Sequence, residues 1–195
     1  MHEPEDSEEL ELVKLAYPSK SRKLVQRHQA YEQGRPLPLV CATIPIIGTE
    51  KIVELFRSPS KRVMGGEWIF FLSEHQKPTD HSPRRALNRG FNEELGYRLD
   101  KNNIIDPQEH INLKYRETAC QRTLSWSANI YVVPIRDIKE LNPDKEEILD
   151  VRVRPLEQVM KDVYRRNSPY KHFSPRVFLE TLEKYTRQLA QKVTD

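Results

Sequence analysis

Apolar residues cluster, alternate and then space out along this chain, and the pattern predicts a succession of strands and helices. LVCATIPII (39–47) and KIVELFR (51–57) are apolar runs on either side of Gly48-Thr49, which predicts a β-hairpin. SPSKR at 58–62 is a loop, VMGGEWIFFLSE at 63–74 a further strand, and HQKPTDHS at 75–82 a polar loop. INLKYRET (111–118) and TLSWSANIYVVPI (123–135) predict a second hairpin, and ILDVRVRP (148–155) alternates strongly enough to form another strand. Two helices follow. PLEQVMKDVYRR has Pro155 near its start. RVFLETLEKYTRQLAQKV is introduced by Ser174-Pro175 and carries Phe178, Leu182 and Leu189 on its apolar face.

One helix has sharper boundaries than the rest. In PRRALNRGFNEELG (83–96), Ser82 is a good N-cap, Pro83 takes the first helical position and Gly96 supplies a left-handed stop. Leu87, Phe91 and Leu95 recur at four-residue spacing, so one stripe of the helix is buried. Gly90 lies in the helix interior, where glycine costs about 1 kcal/mol relative to alanine. A glycine retained there predicts that another backbone or a ligand comes very close.

Upstream, residues 1–34 read as an acidic tail followed by a basic, helix-compatible arm ending at Gly34, and residues 35–195 as the folded domain with its C-terminal helices. Pro36 and Pro38 stop any helix and introduce the first strand. Mixed strands, one helix set between hairpins and two C-terminal helices predict an α+β or α/β sandwich. The longest apolar run, IPII at 44–47, is far too short to cross a bilayer, and no basic start with an apolar run marks a signal peptide. Cys41 and Cys120 are far apart and outside any CxxC pair, so both read as core thiols, with a reducing cytoplasm as the compartment. A net charge of +3 gives no global case for nucleic acid, although basic patches around Arg57 and Arg62 and around Arg84, Arg85 and Arg89 suit a phosphate-bearing ligand.

The chemistry concentrates on Glu93 and Glu94. Two adjacent carboxylates sit near a helix C-terminus, where the dipole disfavours negative charge. Arg89, four residues earlier, is spaced to pair with Glu93. Adjacent carboxylates can hold Mg²⁺ when phosphate oxygens and waters complete its octahedron. On spacing alone, an exposed acidic turn paired with Arg85 and Arg89 is the simpler account.

ALNRGFNEELG nevertheless resembles the second half of the Nudix box, G-x5-E-x7-R-E-U-x-E-E-x-G-U, where U is aliphatic. Arg89 falls on the arginine, Phe91 on U, Glu93 and Glu94 on the paired glutamates and Gly96 on the glycine; Tyr97 stands at the final U. GGEWIFF resembles the preceding GxWxFPGG strand through Trp68 and Phe70. The resemblance, over about residues 37–165, implies an α/β/α sandwich with a mixed β-sheet, plus the N-terminal arm and C-terminal helix. It also implies Mg²⁺ or Mn²⁺ held by Glu93 and Glu94, with Arg89 orienting Glu93 or structuring the loop. The departures are specific. Gly90 replaces the glutamate after the arginine, Leu72 and Ser73 replace the glycines, and His81, beside Asp80, stands where the first glutamate belongs. Glu74 and Asp80 are candidates for a compensating ligand or base, Glu117 and Glu146–Glu147 for a later loop carboxylate, and Arg57, Arg62 and Arg122 for phosphate binding.

No histidine pattern, GxSxG elbow, Walker loop or dinucleotide fingerprint competes with this reading, and the aromatics Trp68, Tyr115, Trp126 and Tyr131 read as core. Two functions follow from the resemblance. One is a divergent metal-dependent hydrolase of a nucleoside diphosphate linked to another moiety. The other is a catalytically inactive nucleotide-binding sensor or protein-interaction module. The intact EELG favours the first and the missing glutamates the second; the hydrolase is the reading adopted, with a nucleotide or nucleotide-derived small molecule as partner, no membrane, and a homodimer left open.

Overall fold

The computed structural model describes residues 12–14, 24–61, 63–117, 122–165 and 176–191. Strands β1 (Leu12–Lys14) and β2 (Leu24–Gln26) form a small antiparallel pair, followed by the short helix α1 (Arg27–Glu32). Among the described residues of the arm, Arg27–Glu32 is helical. Its Tyr31 is buried edge-on against the Trp126 ring, with the indole Nε1 donating to the Tyr31 hydroxyl at 3.2 Å.

Strands β3 (Leu37–Thr43) and β4 (Lys51–Arg57) correspond to the predicted first hairpin, but they belong to different sheets. The chain does turn at Gly48, which has φ +75°, and Pro45 bridges Ile52. Beyond that bridge the two strands part. β3 runs between β6 (Leu72–His75) and β8 (Arg122–Val132), antiparallel to the first and parallel to the second, with β7 (His110–Glu117) outermost. β4 pairs with β5 (Trp68–Ile69) and β9 (Ile148–Pro155). A central position with both faces covered accounts for the nearly unbroken apolar run in β3, from which Leu37, Leu39, Val40, Cys41 and Ala42 are all buried.

The single strand expected over 63–74 is also divided. Residues 63–66 form a turn, β5 pairs in one sheet and β6 in the other, and the chain bends between them at Phe70 and Phe71. Both rings pack against Phe178 of α4 (Arg176–Gln191), so the bend is filled by aromatic contacts. The second hairpin is formed as expected, from Glu117↔Arg122 to His110↔Asn129. β9 leads directly into α3 (Leu156–Val163). One mixed and one antiparallel sheet with helices packed on them give the expected α/β/α sandwich, and no described helix is long and apolar enough to cross a membrane.

The motif helix, α2 (Pro83–Leu95), packs on β6 and β3. Its boundaries are those the sequence predicts. The Ser82 hydroxyl accepts from the Arg85 amide at 3.3 Å, Pro83 opens the helix, and Gly96 closes it at φ +58°. Ala86, Leu87, Gly90, Phe91, Glu94 and Leu95 form the buried stripe. The last carbonyls do not end unpaired: Glu94 O accepts from the Asp144 amide at 3.0 Å and Leu95 O from the Asn142 amide at 2.8 Å. The loop before β9 is thereby fastened to the end of α2.

Candidate functional site

Glu93 and Glu94 are neighbours in sequence but not in environment. A helix turns about 100° per residue, so only one of the two can face the sheet squarely. Glu93 is exposed, and its carboxylate accepts from Arg89 Nη1 at 3.3 Å. Glu94 points inward with 8% of its surface exposed, which excludes the simple reading of both acids as a solvated turn. Burial pushes the Glu94 carboxyl up to about 8; the charges of Glu74 and Glu147 act in the same direction, and those of Arg57 and Lys61 oppose it.

Arg89 is the hub of the site. Its Nη1 also reaches Glu74 Oε2 at 3.1 Å, and its Nη2 donates to Asp80 Oδ2 and to the His75 carbonyl, each at 2.8 Å. Strand β6, the loop after it and α2 are thus tied to one guanidinium, whose planar fork suits several carboxylates at once. Burial works against the Arg89 charge, but the Asp80 hydrogen bond and the three acids outweigh it and raise the arginine's proton affinity. Burial likewise pushes Asp80 upward, and here the hydrogen bonds from Arg89 and from the Lys77 amide win, holding the carboxyl below its usual value. Asp80 therefore anchors Arg89 and the loop. Burial raises Glu74 to about 7 against the pull of Arg89 and Lys77.

The helix-interior glycine has a specific neighbour. A Cβ at position 90 would lie 3.0 Å from Glu74 Cβ, 3.2 Å from Glu74 Cγ and 3.2 Å from Leu72 Cδ2. The sequence predicts a backbone or a ligand close to Gly90; the protein atoms that approach are instead two side chains of β6, which share one face of that strand at alternate positions.

The remaining candidates divide. Arg57 ends β4, donates from Nε to the Val63 carbonyl at 3.1 Å and acts electrostatically on Glu94. Glu147, in the loop fastened to α2, pairs with Lys61, and both act on Glu94. Arg62 lies outside the described residues, as does Cys120, and the side chains of Glu117 and Arg122 are likewise outside them. The backbone of Arg122 begins β8 at the hairpin tip, seven residues before Asn129, the residue that pairs with Val40. Seven residues of strand span about 23 Å, so Arg122 and the Arg89 cluster stand well apart.

Sequence reasoning missed a second charged group. Glu54 is fully buried in β4 and accepts from Arg152, with Arg154 Nη1 at 3.6 Å and Asp162 holding Arg154 at 2.8 Å. The Arg152 guanidinium also lies 3.7 Å from the centre of the Trp68 ring. The alternating arginines of β9 were the available signal: 152 and 154 face one side of the sheet, and β4 must answer them there. Glu54 and Arg57 lie on opposite faces of β4, so this group is separate from the Glu94 site.

No family model and no curated protein matches the sequence. Solved structures do match the fold. The MutT protein of Methanosarcina mazei aligns with a TM-score of 0.54 at 18% identity, over 78% of this chain and 95% of its own. The Escherichia coli dihydroneopterin triphosphate pyrophosphohydrolase gives 0.55 at 11% identity, over 77% and 95%. The Nudix domain of Shewanella oneidensis NrtR, solved with ADP ribose, gives 0.53 at 15% identity, over 79% and 88%. The mixed sheet β6-β3-β8-β7, the antiparallel sheet β5-β4-β9 and the helices packed on them thus align with MutT and Nudix structures over most of this chain. The chain is a Nudix-fold protein.

Proposed function

We propose that the protein is a divergent Nudix-type hydrolase that cleaves a nucleoside diphosphate linked to another moiety, with Mg²⁺ or Mn²⁺ as cofactor. The observation that carries this reading is the inward-facing Glu94, buried beside the charges of Glu74, Arg57 and Lys61 at the end of the motif helix.

Among the described residues, no group of three or more His, Cys, Asp or Glu is arranged to hold a metal ion. Mg²⁺ commonly uses only one or two protein carboxylates and completes its shell with waters and substrate phosphates. Glu94 and Glu74 fit that sparser pattern. Both are hard oxygen donors, both are held in surroundings that disfavour an uncompensated negative charge, and Glu93 stands one turn-face away on the same helix. When bound, such an ion neutralises diphosphate charge and makes a water more acidic. Arg89 orients Glu74 and Glu93, Asp80 fixes Arg89, and Arg57 offers a cation to phosphate from the end of β4.

The test is hydrolysis of a panel of nucleoside diphosphate derivatives with Mg²⁺ or Mn²⁺, beside Glu94→Gln. Turnover that the substitution abolishes supports the enzyme. Tight nucleotide binding without turnover in either form supports the second reading, a nucleotide sensor. That alternative is favoured by the engagement of Glu74, Asp80 and Glu93 with Arg89, and the NrtR domain solved with ADP ribose is an example of the same fold holding a nucleotide. A cytoplasmic location is the default for a chain with two cysteines far apart and outside any CxxC pair.

A further inference from the structure

We infer that Glu74 of β6 supplies the carboxylate that the motif helix lacks at position 90, so that Glu74 and Gly90 are an exchanged pair. The inference rests on the hydrolase reading above. Positions 90, 93 and 94 share a helix face, being i, i+3 and i+4. On that face Gly90 is buried and contributes no side chain. The space where its side chain would begin is taken by Glu74, whose Cβ and Cγ lie 3.0 and 3.2 Å from the position of a residue-90 Cβ.

The two arrangements compete for the same space. A Cβ at 90 would press on Glu74 at 3.0–3.2 Å, tighter than ordinary van der Waals contact, so a glutamate there and Glu74 in its present position crowd one another. The carboxylate stays in the same company: Glu74 Oε2 lies 3.1 Å from Arg89 Nη1, the same atom that holds Glu93 Oε2 at 3.3 Å. Close helix–strand packing alone does not call for an acid here. A leucine or methionine at 74 would fill the volume without the cost of desolvating a carboxylate, which runs to several kcal/mol. Leu72, two residues earlier on the same strand face, is such a residue. His75, on the opposite face, turns away to the Tyr31 hydroxyl at 3.4 Å, so the strand presents one acid to α2 and none to α1.

The exchange is tested by Mn²⁺ binding, read from the electron paramagnetic resonance of free Mn²⁺, on the full chain and on Glu94→Gln, Glu74→Gln, Glu74→Gly and Glu74→Gly/Gly90→Glu, each checked for folding by circular dichroism. The double variant uses glycine at 74 because even an alanine Cβ would meet the new side chain. Glu74→Gln is expected to weaken Mn²⁺ binding at least about tenfold, since loss of a mere supporting partner costs that much. The double variant is expected to bind more tightly than Glu74→Gly alone. Wild-type affinity in Glu74→Gln, with binding lost in Glu94→Gln, overturns the exchange and leaves the hydrolase reading standing. A folded double variant no better than Glu74→Gly also overturns it. No Mn²⁺ binding by the wild-type chain overturns both; should the double variant not fold, Glu74→Gln decides.

Discussion

Replacing Glu94 by glutamine keeps the side-chain shape and removes the charge. The carboxyl titrates near 8 in the folded protein against an ordinary value of 4.5, and burial is the main cause. An acid whose folded value is raised destabilises the fold as it is forced to ionise. Below about pH 4.5 it is protonated in both states and carries no penalty. Between 4.5 and about 8 the unfolded chain gains by ionising while the folded one does not, and stability falls by about 1.4 kcal/mol per pH unit. Above 8 the loss levels off. At pH 7 the penalty is about 3 kcal/mol, the gap between pH 7 and the ordinary value setting its size. Glu94→Gln should therefore stabilise the metal-free protein at pH 7 by about that amount. For a chain of 195 residues this raises the melting temperature by roughly 6–12 °C. Thermal melts by circular dichroism in EDTA, at pH 5 and pH 7, measure it, and at pH 5 the difference should fall to about 1 kcal/mol or less. A variant that melts at or below the wild type at pH 7, or a gap that does not shrink at pH 5, refutes the assignment of Glu94 as a buried, strained acid. Added Mn²⁺ should then raise the wild-type melting temperature and leave that of Glu94→Gln unchanged.

Arg89→Ala strands Asp80 and Glu74, both largely buried, and should cost about 3–5 kcal/mol in urea denaturation. Arg89→Lys keeps the charge without the fork and should fall between alanine and wild type. Gly90→Ala would stabilise an ordinary helix by about 1 kcal/mol. Here the new methyl meets Glu74 and Leu72, and overpacking of about 1–3 kcal/mol should leave the variant neutral or less stable than wild type, again by urea denaturation. At Gly96, an alanine faces both a left-handed backbone and the Asn142 carbonyl 2.6 Å from its Cβ. Loss of about 2 kcal/mol or more is expected, with faster amide exchange in the loop around Asn142 and Asp144.

Local rules account for what was legible. Ser82, Pro83 and Gly96 mark a helix within one stretch of chain, and Leu87, Phe91 and Leu95 state which side is buried, so α2 could be read residue by residue. The same holds for β7 and β8, whose hairpin is a local pairing. Residues 39–57 show the limit. The apolar runs of β3 and β4 are equally satisfied by one hairpin or by two sheets, and the choice belongs to the distant partners, β8 and β9. The bend at Phe70-Phe71 was hidden because both halves of that run are apolar, whichever sheet they join.

The sequence by itself determined the motif helix, its ends, its apolar stripe and the peculiarity of Gly90, because these depend on capping, helical period and backbone entropy. It also brought Arg89 and Glu93 together, since four residues of helix place them side by side. Only the tertiary structure decided that Glu94 is inside while Glu93 is exposed, that Asp80 is occupied by Arg89, and that Glu74 fills the space beside Gly90. Those outcomes depend on which strand lies across the helix and how closely it approaches, and that distance is set by packing between segments that are remote in the chain.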